Sequence, residues 1–434
     1  MEGADAMFRS STSPDITILG AGPIGLEAAL YALHCGYSVR VVDQAEPGHH
    51  LDQWGFVRLF SPFSMNHTPL GSKLLTSLGH RLPPDRAYLT GREHREAYVL
   101  PLAEWLSRRV EWLMGRRVVA VSREGLLKGE ALGRPERAEA PFRILLEDET
   151  GREQVVHSPV VIDATGSYSN PNWLGDGGIP APGERALRNR IHYHLVDIAG
   201  QEKKRFLGKT TLVVGNGYSA ATSIVALSRL MEKEPRTRAV WLTRTTGQVP
   251  ILPIENDPLE ERARITRQAN QCVQQPGVRW IPGGMVHALQ ASRGGRKFLV
   301  EIATTKGMET VEVDQILAQV GYSPDHRIYR ELQVHECFAS LGPMKLAAAL
   351  LSDGSTDCLT QSSAGPETLK NPEPNFFILG MKSYGRNSHF LLRVGFEQIR
   401  DLFQLLTGEA QLNLYQEPVP THFAPVQTIG KSCS

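Results

Sequence analysis

Two stretches of the 434-residue chain share one design. ITILGAGPIGLEAAL (16–30) and LVVGNGYSA (212–220) each run from an apolar strand through a glycine-rich turn into a helix of small residues. In this arrangement the first glycine permits a tight turn and the second lets a pyrophosphate approach the backbone. The third position packs helix against strand, and the helix N-terminus faces the phosphates. Gly20, Gly22 and Gly25 fit the whole pattern, and Gly215, Gly217 and Ala220 fit its alanine variant. A second strand follows each helix, SVRVVD at 38–43 and AVWLTR at 239–244. The chain is therefore expected to hold two βαβ units and two dinucleotides.

The ends of these second strands differ. Asp43 closes the first, where a carboxylate accepts hydrogen bonds from ribose hydroxyls and repels a 2′-phosphate. Thr243 and Arg244 stand at the second, where a guanidinium suits a 2′-phosphate. FAD in the first unit and NADPH in the second is the economical pair, because a flavin takes a hydride from a nicotinamide beside it. Gln44, beside Asp43, and Ser219, in the second turn, join the two expected contact sets.

The rest of the chain repeats the same plan. RVVAVSR, FRILLED and EQVVHS read as a small antiparallel meander. VRWIPGG, KFLVEIATT and ETVEV read as a second one. A glycine-ended strand follows each meander: VIDATGSYSNP (161–171) and ILAQVGYSPD (316–325) echo one another. EAYVLPLAEWLSRRV reads as a helical run. Near the end, NFFILG reads as a strand and HFLLRVGFEQIRDLFQLL as a long helix, with Ser388 as its cap and Gly408 as its stop. The expected fold is α/β, with two Rossmann-like dinucleotide-binding domains. Its expected parts are a disordered tail at 1–13, a first FAD-binding part at 14–190, an NAD(P)H-binding domain at 191–325 and a returning FAD-binding part at 326–434.

Composition narrows the function. Hydrophobic residues make up 41% of the chain, enough for more than one small core. The net charge of +1 gives no bulk attraction to nucleic acid or a membrane surface. The N-terminus has acids where a signal peptide has bases and no apolar segment follows, so a cytoplasmic protein is expected. The five cysteines (35, 272, 337, 358 and 433) form no CxxC, so neither a dithiol redox centre nor a zinc ribbon is signalled. His49, His50 and Asp52 lack a second ligand cluster, and no metal site is expected.

Several segments together resemble the class B flavin monooxygenases, the group of flavin-containing monooxygenases and N-hydroxylases. GAGPIG with Asp43 resembles their FAD motif, and EPGHHLDQW, ending at Trp54, the segment after it. VRLFSPFSMNHTPL resembles the stretch that sets an asparagine, here Asn66, against the flavin edge. DATGSYSNPN resembles their ATG strand, with Thr165 and Gly166, and FLGKTTLVVGNGYSA the entry to their NADPH domain. The resemblance spans most of residues 14–406 and implies a FAD domain split around an inserted NADPH domain. It also implies a flavin C4a-(hydro)peroxide that oxygenates a small molecule at nitrogen, sulfur or a ketone, with O2 as co-substrate.

Asn66, His67 and Arg386 are then the catalytic candidates, and Trp54, Arg58 and Gly380 join the cofactor set. Ser61 is expected to line the flavin or substrate pocket, and Asn387 and His389 are expected to reach the flavin or an anionic substrate. Two departures stand out. LRNRIHYHLVDI carries His192 and His194 without the family's F-x-G, and LGMKSYGRNSHF keeps Gly380 without the Gly-Asp acid of the wider superfamily. Two further readings stay open: a reductase that passes electrons to an external acceptor, and a non-catalytic dinucleotide-binding protein. Nothing in the sequence sets the oligomeric state.

Overall fold

A computed structural model describes residues 13–353, 359 and 361–416. The expected tail, apart from Ser13, lies outside these residues, as do Cys358 and Cys433. Strand β1 (Ile16–Leu19) is wholly buried and leads through the first glycine turn into helix α1 (Pro23–His34). Gly36, with φ +84°, ends the helix region and turns the chain into β2 (Val39–Asp43). A short helix α2 (His49–Gln53) follows.

The expected helical run ends early: helix α3 (Leu100–Ser107) stops before β3 (Glu111–Met114), which pairs in parallel with β2. Periodicity cannot tell a four-residue apolar run from a helix end, and the open edge of β2 decides it. The first meander forms as expected from β4 (Arg116–Arg123), β5 (Phe142–Asp148) and β6 (Glu153–Ser158). β7 (Val160–Asp163) then returns beside β1.

The second unit repeats this with β8 (Thr210–Val214), helix α4 (Tyr218–Lys233) and β9 (Arg238–Thr243). Helix α5 (Glu260–Cys272), absent from the sequence reading, leads to β10 (Val278–Pro282). Residues VRWIP were expected in the meander; they pair in parallel with β9 instead. The meander consists of β11 (Met285–Ala291), β12 (Phe298–Thr304) and β13 (Gly307–Val313). β14 (Gln315–Ala318) closes the unit in parallel with β8.

Among the described residues the parallel sheets have orders β15-β7-β1-β2-β3 and β10-β9-β8-β14. β15 (Phe376–Ile378) comes from the far side of the second unit, so the chain returns to complete its first sheet. The fold class read from sequence is the one observed.

Helix α6 (Leu392–Thr407) packs on α1, with Tyr31 stacked on Phe403 at 5.0 Å. Gly408 (φ +76°) ends it as expected, but Ser388 does not cap it: Leu391 occupies that position without a side-chain bond. The first meander covers the other face through Val121, Phe142 and Ile144. It is tied to the returning segment by Glu373, which accepts from Arg123 at 2.8 Å and Arg137 at 2.7 Å with every side chain buried. In the second unit α4 and α5 cover one face and β11–β13 the other.

Candidate functional site

Each glycine of the first turn meets a different constraint. Gly20 has φ +106°, and a Cβ there would lie 2.6 Å from the Ala164 carbonyl oxygen. A Cβ on Gly25 would lie 1.9 Å from the carbonyl oxygen of Gly20, so α1 can approach β1 only without a side chain. A Cβ on Gly22 would meet nothing within 4 Å. The backbone at Gly22, at the N-terminus of α1, is therefore open to a ligand, as a phosphate cradle requires. In the second turn Gly215 (φ +127°) rests on the Gln319 carbonyl, where a Cβ would come within 2.1 Å. Gly217 faces open space, and Ala220 is fully buried with its methyl accommodated.

Asp43 holds the first turn from the end of β2. Its carboxylate accepts from Ala21 N–H at 2.7 Å and Ala45 N–H at 2.9 Å. Burial raises its pKa, against the opposing pull of those N–H groups. Gln44 is exposed beside it, and Gly48 N–H donates to the Ala21 carbonyl, which seats α2 against the turn. At the second turn Thr243 is buried and accepts from Trp280 Nε1 at 3.0 Å. Arg244 projects into solvent just past β9, and the Ser219 carbonyl accepts from Ser223 Oγ within α4.

Below the first turn lies a group that sequence reasoning missed. Lys382 Nζ donates to Asp163 at 2.6 Å and to Thr165 Oγ1 at 3.0 Å. Thr165 in turn donates to Asp163 through its hydroxyl at 2.7 Å and its N–H at 3.1 Å. The side chains of Asp163 and Lys382 are completely buried. Gly166 (φ +69°) turns the chain away after this triad, and Gly380 (φ +72°) approaches Ile24 of α1. The one available signal was a lysine in the apolar strand end LGMKSY.

The other predicted residues divide. Asn66 is 2% exposed, and both its amide hydrogens go to local carbonyls, Ser61 at 3.1 Å and Pro62 at 3.0 Å. Its oxygen accepts from Ser61 Oγ at 2.8 Å, so as placed it fastens the 61–66 loop. His67 stacks on Phe63 at 4.4 Å and bonds Ser72 and Asp85. Trp54 packs on the Gly91 turn. Arg58 lines a cavity of about 370 Å³ against α4 and α5, with Phe60, Arg229 and Arg264, whose lining holds none of the motif glycines. Arg386 reaches Ser323 of the second glycine-ended segment at 3.4 Å, and Asn387 accepts from His389 N–H in the turn before α6.

Buried Glu27 was also missed. It sits in α1 just past Gly25, accepts from Tyr98 OH and accepts from Thr68 Oγ1 at 3.0 Å. Burial pushes its carboxyl up to about 7.

A family model described as pyridine nucleotide-disulphide oxidoreductase matches residues 64–337, more than half of the chain. The chain belongs to this family. As a member of the pyridine nucleotide-disulphide oxidoreductases it shares its fold with solved structures of differing chemistry. A bacillithiol disulfide reductase from Bacillus cereus is 18% identical, with 92% of this chain and 99% of that one covered and a TM-score of 0.65. A thioredoxin reductase from T. acidophilum is 16% identical over 92% and 100% of the two chains, at 0.56. A cadaverine monooxygenase from Erwinia amylovora, solved with FAD, is 13% identical over 98% and 100%, at 0.63. No curated protein matches the chain.

Reductases and a monooxygenase thus stand together among the similar folds, and the class B monooxygenases are not singled out. Within this family the cysteines are notable: Cys35, Cys272 and Cys337 are free, and burial pushes the Cys35 thiol up to about 12. Among the described residues no group of three or more His, Cys, Asp or Glu could hold a metal, and no helix is long and apolar enough to cross a membrane.

Proposed function

We propose that the chain is an FAD- and NADPH-dependent oxidoreductase, and that it is a monooxygenase acting on a small molecule at nitrogen, sulfur or a ketone. FAD belongs to the unit formed by residues 14–190 and 326–434, and NADPH to residues 191–325. The observation that carries the cofactor reading is the pair of open glycine cradles, one ending in Asp43 and the other in Arg244. One neighbour, the monooxygenase from Erwinia amylovora, is bound to FAD, in line with this.

The residues fit such a pair. Gly22 and the α1 N-terminus leave room for a pyrophosphate, and Asp43 would accept from a ribose hydroxyl. Gly217, Ser219 and the α4 N-terminus would form the equivalent cradle, with exposed Arg244 meeting the 2′-phosphate and Thr243 buried beneath it. When bound, the flavin supplies hydride acceptance from the nicotinamide and electron delivery to the next acceptor. Asp163, Lys382 and Thr165 are bonded to one another beside the first cradle, with the Asp163 and Lys382 side chains buried. Asn66 and His67 fix the 61–72 loop, and Arg386 ties the returning segment to Ser323.

Oxygenation is favoured over disulfide reduction because the sequence offers no CxxC to relay electrons from a flavin. The reductase reading has its own support in the 99% coverage of the bacillithiol disulfide reductase. The test is a steady-state assay of NADPH oxidation with amine, thioether and ketone candidates under O2, with hydrogen peroxide and product both measured. Product formed one-for-one with NADPH supports the monooxygenase. Peroxide alone, with rapid anaerobic reduction of low-molecular-weight disulfides, favours the reductase and overturns the monooxygenase reading.

A further inference from the structure

Four aromatic rings meet between the two units. Tyr168 lies 4.5 Å from His194, 4.9 Å from Tyr322 and 5.2 Å from His50, centroid to centroid. His194 and Tyr322 are 5.7 Å apart and within 13° of parallel. His50 and Tyr168 follow β2 and β7 of the first sheet. Tyr322 follows β14 of the second, and His194 belongs to the segment that pairs with β14 at His192.

The chain paths explain why these rings meet. Gly20 rests on the Ala164 carbonyl and Gly215 on the Gln319 carbonyl. Tyr168 and Tyr322 come just after those two residues, on the paired segments GSYSNP and GYSP. These segments cross and bond: Asn172 N–H donates to the Gly321 carbonyl and Ser323 N–H to the Asn170 carbonyl, both at 3.0 Å. The two sequence echoes thus join beyond the carboxyl ends of the parallel strands, where open α/β sheets bind ligands.

Polar contacts hold the rings in place. Tyr322 OH donates to the Tyr193 carbonyl at 3.3 Å, and His194 Nδ1 lies 3.3 Å from Tyr322 OH. His50 Nε2 is 3.0 Å from Ser169 Oγ. Burial holds His50 down to about 4 and His194 below its usual range, which favours the neutral ring at both. All four residues are half-buried. Neutral, electron-rich faces attract a flat, electron-poor ring, most strongly a cationic one.

We propose that His50, Tyr168, His194 and Tyr322 form the seat of the pyridine ring of the dinucleotide held at the second cradle, and that they are positioning residues of hydride transfer. The proposal rests on the NADPH reading above. A flavin in the first unit would receive the hydride, and this is where the segments that follow β7 and β14 are bonded together.

The test compares two ligands that differ only at that ring, NADP⁺ and 2′-phospho-ADP-ribose, titrated by calorimetry into the FAD-loaded protein. Stacking predicts that NADP⁺ binds the wild type about tenfold more tightly. Tyr168→Leu and His194→Leu should erase that advantage while leaving 2′-phospho-ADP-ribose affinity and flavin content unchanged, and Tyr168→Phe should keep it. Equal affinities in the wild type, or an advantage retained in both leucine variants, overturn the proposal alone. Failure of both ligands to bind the wild type overturns the NADPH assignment, and this proposal with it.

Discussion

The two glycine turns follow one pattern and are built differently beneath it. In the first, α1 lies so close to β1 that a methyl at Gly25 would lie 1.9 Å from a carbonyl oxygen; in the second, Ala220 occupies the same place fully buried. The strand under the first turn ends in Asp163, locked to Lys382 in a buried ion pair. Its counterpart under the second ends in Ala318, with no charge. Just past the third motif position the first helix carries buried Glu27, and the second carries Thr222, whose hydroxyl donates to the Tyr218 carbonyl. The strand beside the first turn therefore carries a buried ion pair, whereas the strand beside the second carries none and Arg244 lies outside. A permanently held cofactor suits the first arrangement and an exchanging one the second.

The comparison can be broken most sharply at Lys382. Lys382→Met leaves Asp163 buried without its cation and should cost about 3–5 kcal/mol in chemical unfolding. Adding Asp163→Asn should recover much of the loss, because the buried charge is then gone. A single variant as stable as wild type would mean that the pair contributes nothing to the first unit.

Glu27 gives the next largest effect, in pH dependence. Its carboxyl is raised to about 7 by burial, so the native state holds a proton that the unfolded chain releases near its ordinary value. The resulting stability is fully present below about pH 4.5 and is lost as pH rises through about 7, at most about 3 kcal/mol. Unfolding midpoints at pH 5 and pH 8 in wild type and Glu27→Gln check this. The variant should show a flatter profile, and an unchanged profile would contradict the account.

Gly25→Ala should follow, losing about 1–3 kcal/mol by overpacking together with flavin retention. Ala220→Gly should cost only about 1 kcal/mol through helix propensity. Equal losses would erase the packing difference between the turns. The mildest change is Arg244→Ala, which should leave stability intact and raise KM for NADPH about tenfold or more while sparing NADH.

What the sequence made legible was local and repeated. The glycine spacing, Asp43, the stop at Gly408 and both central βαβ units follow from turn geometry and periodicity. β3 went unread and β10 was misread because short apolar runs take their identity from the edge they pair with, here β2 and β9. Lys382 and Asp163 are 219 positions apart, so their pairing depends on the chain returning as β15. The ring quartet was hidden for the same reason: its members come from four segments, and only the echo between GSYSNP and GYSP pointed to it. Asn66 and Arg58 show the converse. Their motif was visible, but Asn66 bonds its amide within its own loop and Arg58 donates to the Tyr88 carbonyl.

The most direct test of two unlike cradles is an anaerobic titration of the purified chain, with flavin content measured first. The account predicts one FAD per chain, its visible absorbance bleached by stoichiometric NADPH and far more slowly by NADH. A chain that neither carries nor takes up flavin, or one that NADH bleaches as readily as NADPH, would contradict it.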